Sequence, residues 1–161
     1  MEALGVPAPS RFTPEGLLRA YMVKVFAMRD SAGVADMLHE DFSGLSFLES
    51  GGSFAFTRAI LLEGIGRHFS DSTITGINLS VLIHDSQRST DEGCPDCRAV
   101  NTTWTERISK VGNSGADTYT HDATFYITRD PRNAQQWVIW KWIVRPTGYV
   151  LFSPDGLIAA R

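Results

Sequence analysis

The chain has 161 residues but only two cysteines, and no apolar run approaches the length of a membrane helix. Such a helix needs about 20 consecutive apolar residues, so membrane insertion by helices is not expected. Neither charge sign dominates. Fifteen Lys and Arg stand against 18 Asp and Glu, a formal net charge of −3. Nucleic-acid binders usually carry a basic face, and this balance gives no reason to expect one. Met1 to Phe12 lacks a basic segment followed by an apolar one, so no secretory signal is expected and a cytoplasmic location is the default. There is no internal repeat, low-complexity segment, glycine-rich phosphate cradle or nucleophile elbow. The four histidines, His39, His68, His84 and His121, show no metal-ligand spacing. No metal or cofactor is therefore expected.

The two cysteines form a Cys94-Pro95-Asp96-Cys97 pair. A redox motif of this spacing needs its first sulfur at a helix N-terminus, yet the residues after Cys97 alternate like a strand. A structural zinc site needs four ligands, and no second pair exists. The expectation is a loop pair without chemistry, with an adventitious disulfide as the main alternative.

The rest is an ordinary globular composition, 43% hydrophobic and 20% charged, in one domain large enough for a real core. The segment 1–12 reads as a loose arm. Thr13-Pro14-Glu15 supplies an N-cap, a first-turn proline and an acid, and Leu17, Leu18, Tyr21, Met22, Val25 and Phe26 come after it at helical spacing to about Arg29. Asp30 caps a short second helix ending near His39. Asp41 to Leu48 reads as a strand, and Phe54-Ala55-Phe56 as a brief return. Thr57 caps a third helix to about Phe69, whose apolar stripe holds Ile60, Leu61, Gly64, Ile65, Phe69 and also His68, with Glu63 outside it. A strand from Ser72 to Ile83 and a polar loop from Ser86 to Asp96 come next.

Three long strands complete the pattern: Arg98–Val111, Asp117–Thr128 and Trp137–Arg145, separated by short turn signals and crowded with β-branched and aromatic residues. The order predicts an α+β fold, a strongly curved antiparallel sheet wrapped as a cone around three N-terminal helices over 13–147. The tail 148–161 would be a pocket lid or a dimer contact.

Strand phase selects the site candidates, because residues two apart share a face. Tyr119, His121, Ala123, Phe125 and Ile127 share one face of their strand; Asp122 lies on the other. On the preceding strand Trp104 and Glu106 fall on the more apolar face and would neighbour Tyr119 and His121 across the hairpin. His121 suits general acid–base work because its ordinary pKa lies near neutrality, the alternative being a hydrogen-bonded histidine that lines a polar wall. Glu106 on an apolar face suits a general acid or a base for a carbon-bound proton, the alternative being a strand-end glutamate paired in solvent with Arg107 or Lys110. Tyr119 suits an oxyanion donor, the alternative being a merely packed tyrosine. Asp41 at a strand entrance and His68 on its helix stripe complete the catalytic candidates, although a capping bond and a satisfied core histidine are their commoner roles. Tyr21, Met22, Trp104, Phe125, Trp140 and Trp142 would line the substrate cavity. Arg145, at a strand end, would bind an anionic group or sit in solvent. The last strand is apolar on both faces, so its outer face asks for a cover such as a second copy of the chain.

These residues carry a resemblance. A capped amphipathic helix, a second helix ending in His39-Glu40-Asp41-Phe42, a third over Ile60–Phe69, and late strands with Asp122-Ala-Thr-Phe-Tyr-Ile-Thr and Val138-Ile-Trp-Lys-Trp resemble the nuclear transport factor two / ketosteroid isomerase-like fold, and within it the SnoaL-like group. The resemblance implies a cofactor-independent isomerase or cyclase acting on a polycyclic polyketide or meroterpenoid intermediate of fungal secondary metabolism, working as a homodimer on a small hydrophobic substrate. The alternatives are a ligand-binding or dimerisation module of the same fold, or a hydratase or epoxide hydrolase.

Overall fold

The computed structural model describes residues 11–48, 51–112, 115–145, 150–153 and 156–159. The first helix spans 14–27. Thr13 accepts from the Gly16 N–H, and Pro14 occupies the first turn. Its middle, Leu17–Met22, is a π-helical stretch rather than the regular helix that periodicity suggests. The wider turn still buries Leu17, Leu18 and Met22 completely. We call 14–27 α1. Helix α2 is Ser31–Asp36, capped by Asp30, and ends before His39. The chain is already extended from Leu38, and β1 runs Leu38–Phe47. Strand β2 is Ser53–Thr57, and α3 is Arg58–Phe69, capped by Thr57. Strands β3 (Ile74–Arg88), β4 (Arg98–Lys110), β5 (Ala116–Asp130) and β6 (Asn133–Arg145) come next.

These six strands form one curved sheet in the order β2-β1-β6-β5-β4-β3, with the helices on its concave face. The pairs are antiparallel with one exception: β1 lies parallel to β6, because the chain returns to that edge only after the meander is complete. Leu38, Phe42, Leu61, Ile65, Ile77, Leu79, Val100, Phe125, Ile127 and Trp142 belong to the buried core between sheet and helices. Ile60, assigned to the inner stripe by periodicity, is exposed; Leu61 and Ile65 carry the contact instead. Gly44 is required where it stands: a Cβ there would lie 2.2 Å from the Phe56 ring, which folds over the β1 backbone.

The cysteine expectation is corrected. Cys94 and Cys97 form a disulfide. It lies in the loop between β3 and β4, whose Gly93 lies against Trp140 and whose Asp91 accepts from Lys141 at 2.8 Å. This loop covers part of the outer face of β6, where a second copy of the chain was expected.

Strands β7 (Val150–Ser153) and β8 (Gly156–Ala159) pair as an antiparallel hairpin, β7 running beside β1 and β5 and β8 beside α3. The expectations for the arm, apart from Arg11 and Phe12, and for residues 146–149 lie outside the described residues. No helix among the described residues is long and apolar enough to cross a membrane.

Candidate functional site

The register between β4 and β5 is unbroken from Arg98 opposite Ile127 to Ser109 opposite Ala116. No bulge inverts the phase, so Trp104 faces His121, and Glu106 faces Tyr119, on the concave wall. Trp104, Glu106 and His121 are each 1% exposed or less. Val100, Ala123 and Phe125 form the apolar floor below them.

The partner of Glu106 comes from outside the hairpin. His68 reaches it from α3, its Nε2 lying 2.9 Å from Oε2 of the carboxylate. Both side chains are withdrawn from solvent, at 7% and 1% exposure. An ionisable pair in such surroundings is stable only because each member answers the other's hydrogen-bonding demand. The stripe that buries Leu61, Ile65 and Phe69 also aims His68 at the sheet. Phe26 and Phe69 pack edge-on, 5.3 Å apart, alongside. His68 is thus a satisfied histidine, and its partner is the carboxylate best placed for chemistry.

His121 departs from its expected role. Burial, opposed only by the nearby Asp122 charge, pushes its pKa down to about 3. It is therefore a neutral imidazole near neutrality and a feeble base. Its ring packs 4.7 Å from that of Trp104, which also stacks on Trp142 at 4.7 Å. Tyr119 is pushed above its ordinary value by burial, by the charges of Asp117 and Glu106, and by a hydrogen bond to Asp117. It stays protonated, as a donor must.

The other candidates divide. Met22, Phe125 and Trp142 are fully buried in the core. Trp140 is not among the buried side chains of the concave face. A register shift between β5 and β6 inserts one extra residue there, so the two-residue alternation that would put Trp140 beside Trp142 is broken. Trp140 lies against Gly93 instead. Asp41 is exposed, at the start of β1, and its N–H donates to Nδ1 of His39 at 2.9 Å. It is outside the buried group. Tyr21 belongs to a polar cluster at the opposite end of β5, with the Arg11 guanidinium 5.0 Å above its ring. There Arg11 bridges Asp36 and Asp130, and Arg132 reinforces both. Glu63 is exposed and paired with Arg67, and Asp122 accepts from Thr103 on the outer face. Arg145 is exposed and donates to Thr124.

Comparison with solved structures agrees with this architecture. The chain superposes on a conserved protein from Planctomyces limnophilus with a TM-score of 0.60 at 10% identity, covering 78% of this chain and 87% of that one. It superposes on a nuclear transport factor 2-like protein from Shewanella oneidensis at 0.55, with 14% identity and 78% and 91% coverage. The chain has the nuclear transport factor 2-like fold. A putative scytalone dehydratase from Novosphingobium aromaticivorans shares that fold, at a TM-score of 0.55 and 15% identity, with 86% and 82% coverage. No protein-family profile matches the sequence, and no curated protein matches it. Nuclear transport factor 2-like cones serve unrelated tasks, so the buried side chains, and not the fold, must carry the functional argument.

Proposed function

We propose that the chain is a cofactor-independent enzyme of the isomerase or cyclase type, moving protons on a largely apolar polycyclic substrate such as a polyketide or meroterpenoid intermediate. One observation carries this reading: the His68–Glu106 contact of 2.9 Å, buried on the concave wall, with Tyr119 directly across the hairpin from Glu106. A binding module would gain more from apolar side chains at these positions, because replacing buried, mutually paired polar groups with hydrophobic residues is often neutral or stabilising.

In the mechanism, Glu106 removes a proton from carbon next to a carbonyl, or from a hydroxyl. His68 holds the carboxylate in place and relays the proton. The protonated Tyr119 exchanges its hydrogen bond to Asp117 for one to the oxygen on which negative charge develops, and the proton then returns at another position. Each positioned acid–base group typically contributes roughly 10²–10⁴-fold. The site works in the cytoplasm, in a homodimer, in this reading.

The experiment uses 1-tetralone in deuterated buffer, following exchange of its C2 protons. The wild-type chain accelerates exchange; Glu106→Gln and His68→Ala lose most of the acceleration while remaining folded by circular dichroism. Undiminished exchange in both variants overturns the assignment.

A further inference from the structure

Trp104 is completely buried, yet the hydrogen-bond donor it carries is unused. Phe26 meets its ring edge-on at 5.4 Å, Trp142 stacks at 4.7 Å and His121 packs at 4.7 Å. None of the described groups accepts from its Nε1–H. A buried indole normally finds a partner, and an unpaired donor is costly where water cannot reach it. Phenylalanine would fill an apolar wall without that cost. A second donor on the concave face shares the condition. The Ser46 hydroxyl is fully buried and unpartnered among the described groups, on the rung Ser46–Val144–Ala123–Thr102, next to the Trp104–His121 rung.

We propose that the Trp104 indole N–H is the ligand-binding donor of this site, taking the carbonyl oxygen of an apolar ketone. Trp104 precedes Glu106 by two residues on the same face of β4, so a ketone held by the indole would share that face with the carboxylate. When the α-proton leaves for Glu106, the C–H electron pair becomes the enolate double bond and the carbonyl π electrons move to oxygen. The indole bond strengthens as that charge develops, in surroundings that exclude water. The proton is then returned to carbon. This chemical half rests on the function proposed above; the binding half does not. The ligand must part the side chains that now enclose the ring, so measurements are made after equilibration.

The test pairs 1-tetralone with tetralin, which lacks the oxygen, on protein labelled with ¹⁵N at its four tryptophans. Trp104→Phe assigns the Trp104 indole signal by its loss. The ketone should shift that signal downfield and bind about ten-fold more tightly than tetralin, the increment of one hydrogen bond. Trp104→Phe should lose this preference, keep its affinity for tetralin, and unfold at no lower a temperature by more than a few degrees. Failure of 1-tetralone to bind, an unmoved Trp104 signal, or a preference retained in Trp104→Phe each overturns the proposal. Glu106→Gln and His68→Ala should keep the preference while losing C2 exchange. If exchange persists in them while Trp104→Phe loses the preference, the acid–base assignment falls and the binding role stands.

Discussion

Nε2 of His68 lies 2.9 Å from Oε2 of Glu106 across 38 residues of sequence, one on a helix face and the other on the concave face of a strand. Each residue sits where its own element's periodicity demands an apolar group, and the two exceptions meet.

The pair should be asymmetric under mutation. His68→Ala leaves a carboxylate buried without its partner and should cost about 3–5 kcal/mol, the range for breaking one side of a buried pair. Glu106→Gln keeps the shape and one hydrogen-bonding oxygen and should cost less. Urea denaturation of both, with the double variant closing a thermodynamic cycle, measures the coupling; additive losses would show that the two do not interact.

His121 gives a pH signature. Its folded pKa of about 3 lies below the unfolded value near 6.5, so between these values the unfolded chain binds the extra proton. Its contribution to stability is complete above about pH 6.5 and is lost as pH falls toward 3, at up to about 1.4 kcal/mol per pH unit. Unfolding free energies at pH 7 and pH 5 should differ in the wild type. His121→Phe should reduce that slope, and an unchanged slope would mean that the imidazole is not buried neutral.

The polar cluster at the far end of β5 supplies a control away from the site. Burial pushes the Asp130 carboxyl up, but the Arg132 hydrogen bonds and the Arg132 and Arg11 charges outweigh it and hold the group below the usual range. Its stabilisation is present above about pH 4 and is lost as pH falls below that. Arg11→Met removes one of the two guanidiniums on a buried carboxylate and should cost roughly 2–3 kcal/mol, less than a wholly unpaired charge because Arg132 remains. The C2 exchange assay should be unaffected, which chemical denaturation and kinetics on one sample would check.

The Cys94–Cys97 bridge joins residues three apart, so it removes little unfolded-chain entropy. The Cys94→Ser/Cys97→Ser variant should lose no more than about 2 kcal/mol on that account. Its local effect should be larger: the loop beside Trp140 and Lys141 should show faster amide exchange, read by mass spectrometry. Unchanged exchange there would mean that the Asp91–Lys141 bond and the loop's other contacts hold it without the bridge.

Much of the cone was legible in the residues. The capping residues Thr13, Asp30 and Thr57 mark the helix starts, and alternation places Trp104, Glu106, His121 and Phe125 on the concave face. Alternation is a property of one strand and survives into the sheet whenever its register is unbroken, as between β4 and β5. Where an extra residue enters β6, the same reasoning put Trp140 on the wrong face. A bulge depends on the neighbouring strand, and one strand's pattern does not contain it.

The sequence by itself therefore determined which side chains of β4 and β5 face inward, where the register is unbroken, because that depends on local period and burial of apolar surface. Only the tertiary structure decided which inward groups meet. The packing of α3 on the sheet gives Glu106 a histidine from a distant element, and the depth of the wall holds His121 neutral while enclosing the Trp104 N–H. Partner choice and desolvation are set by the assembled surroundings of a group, which no single element's pattern carries.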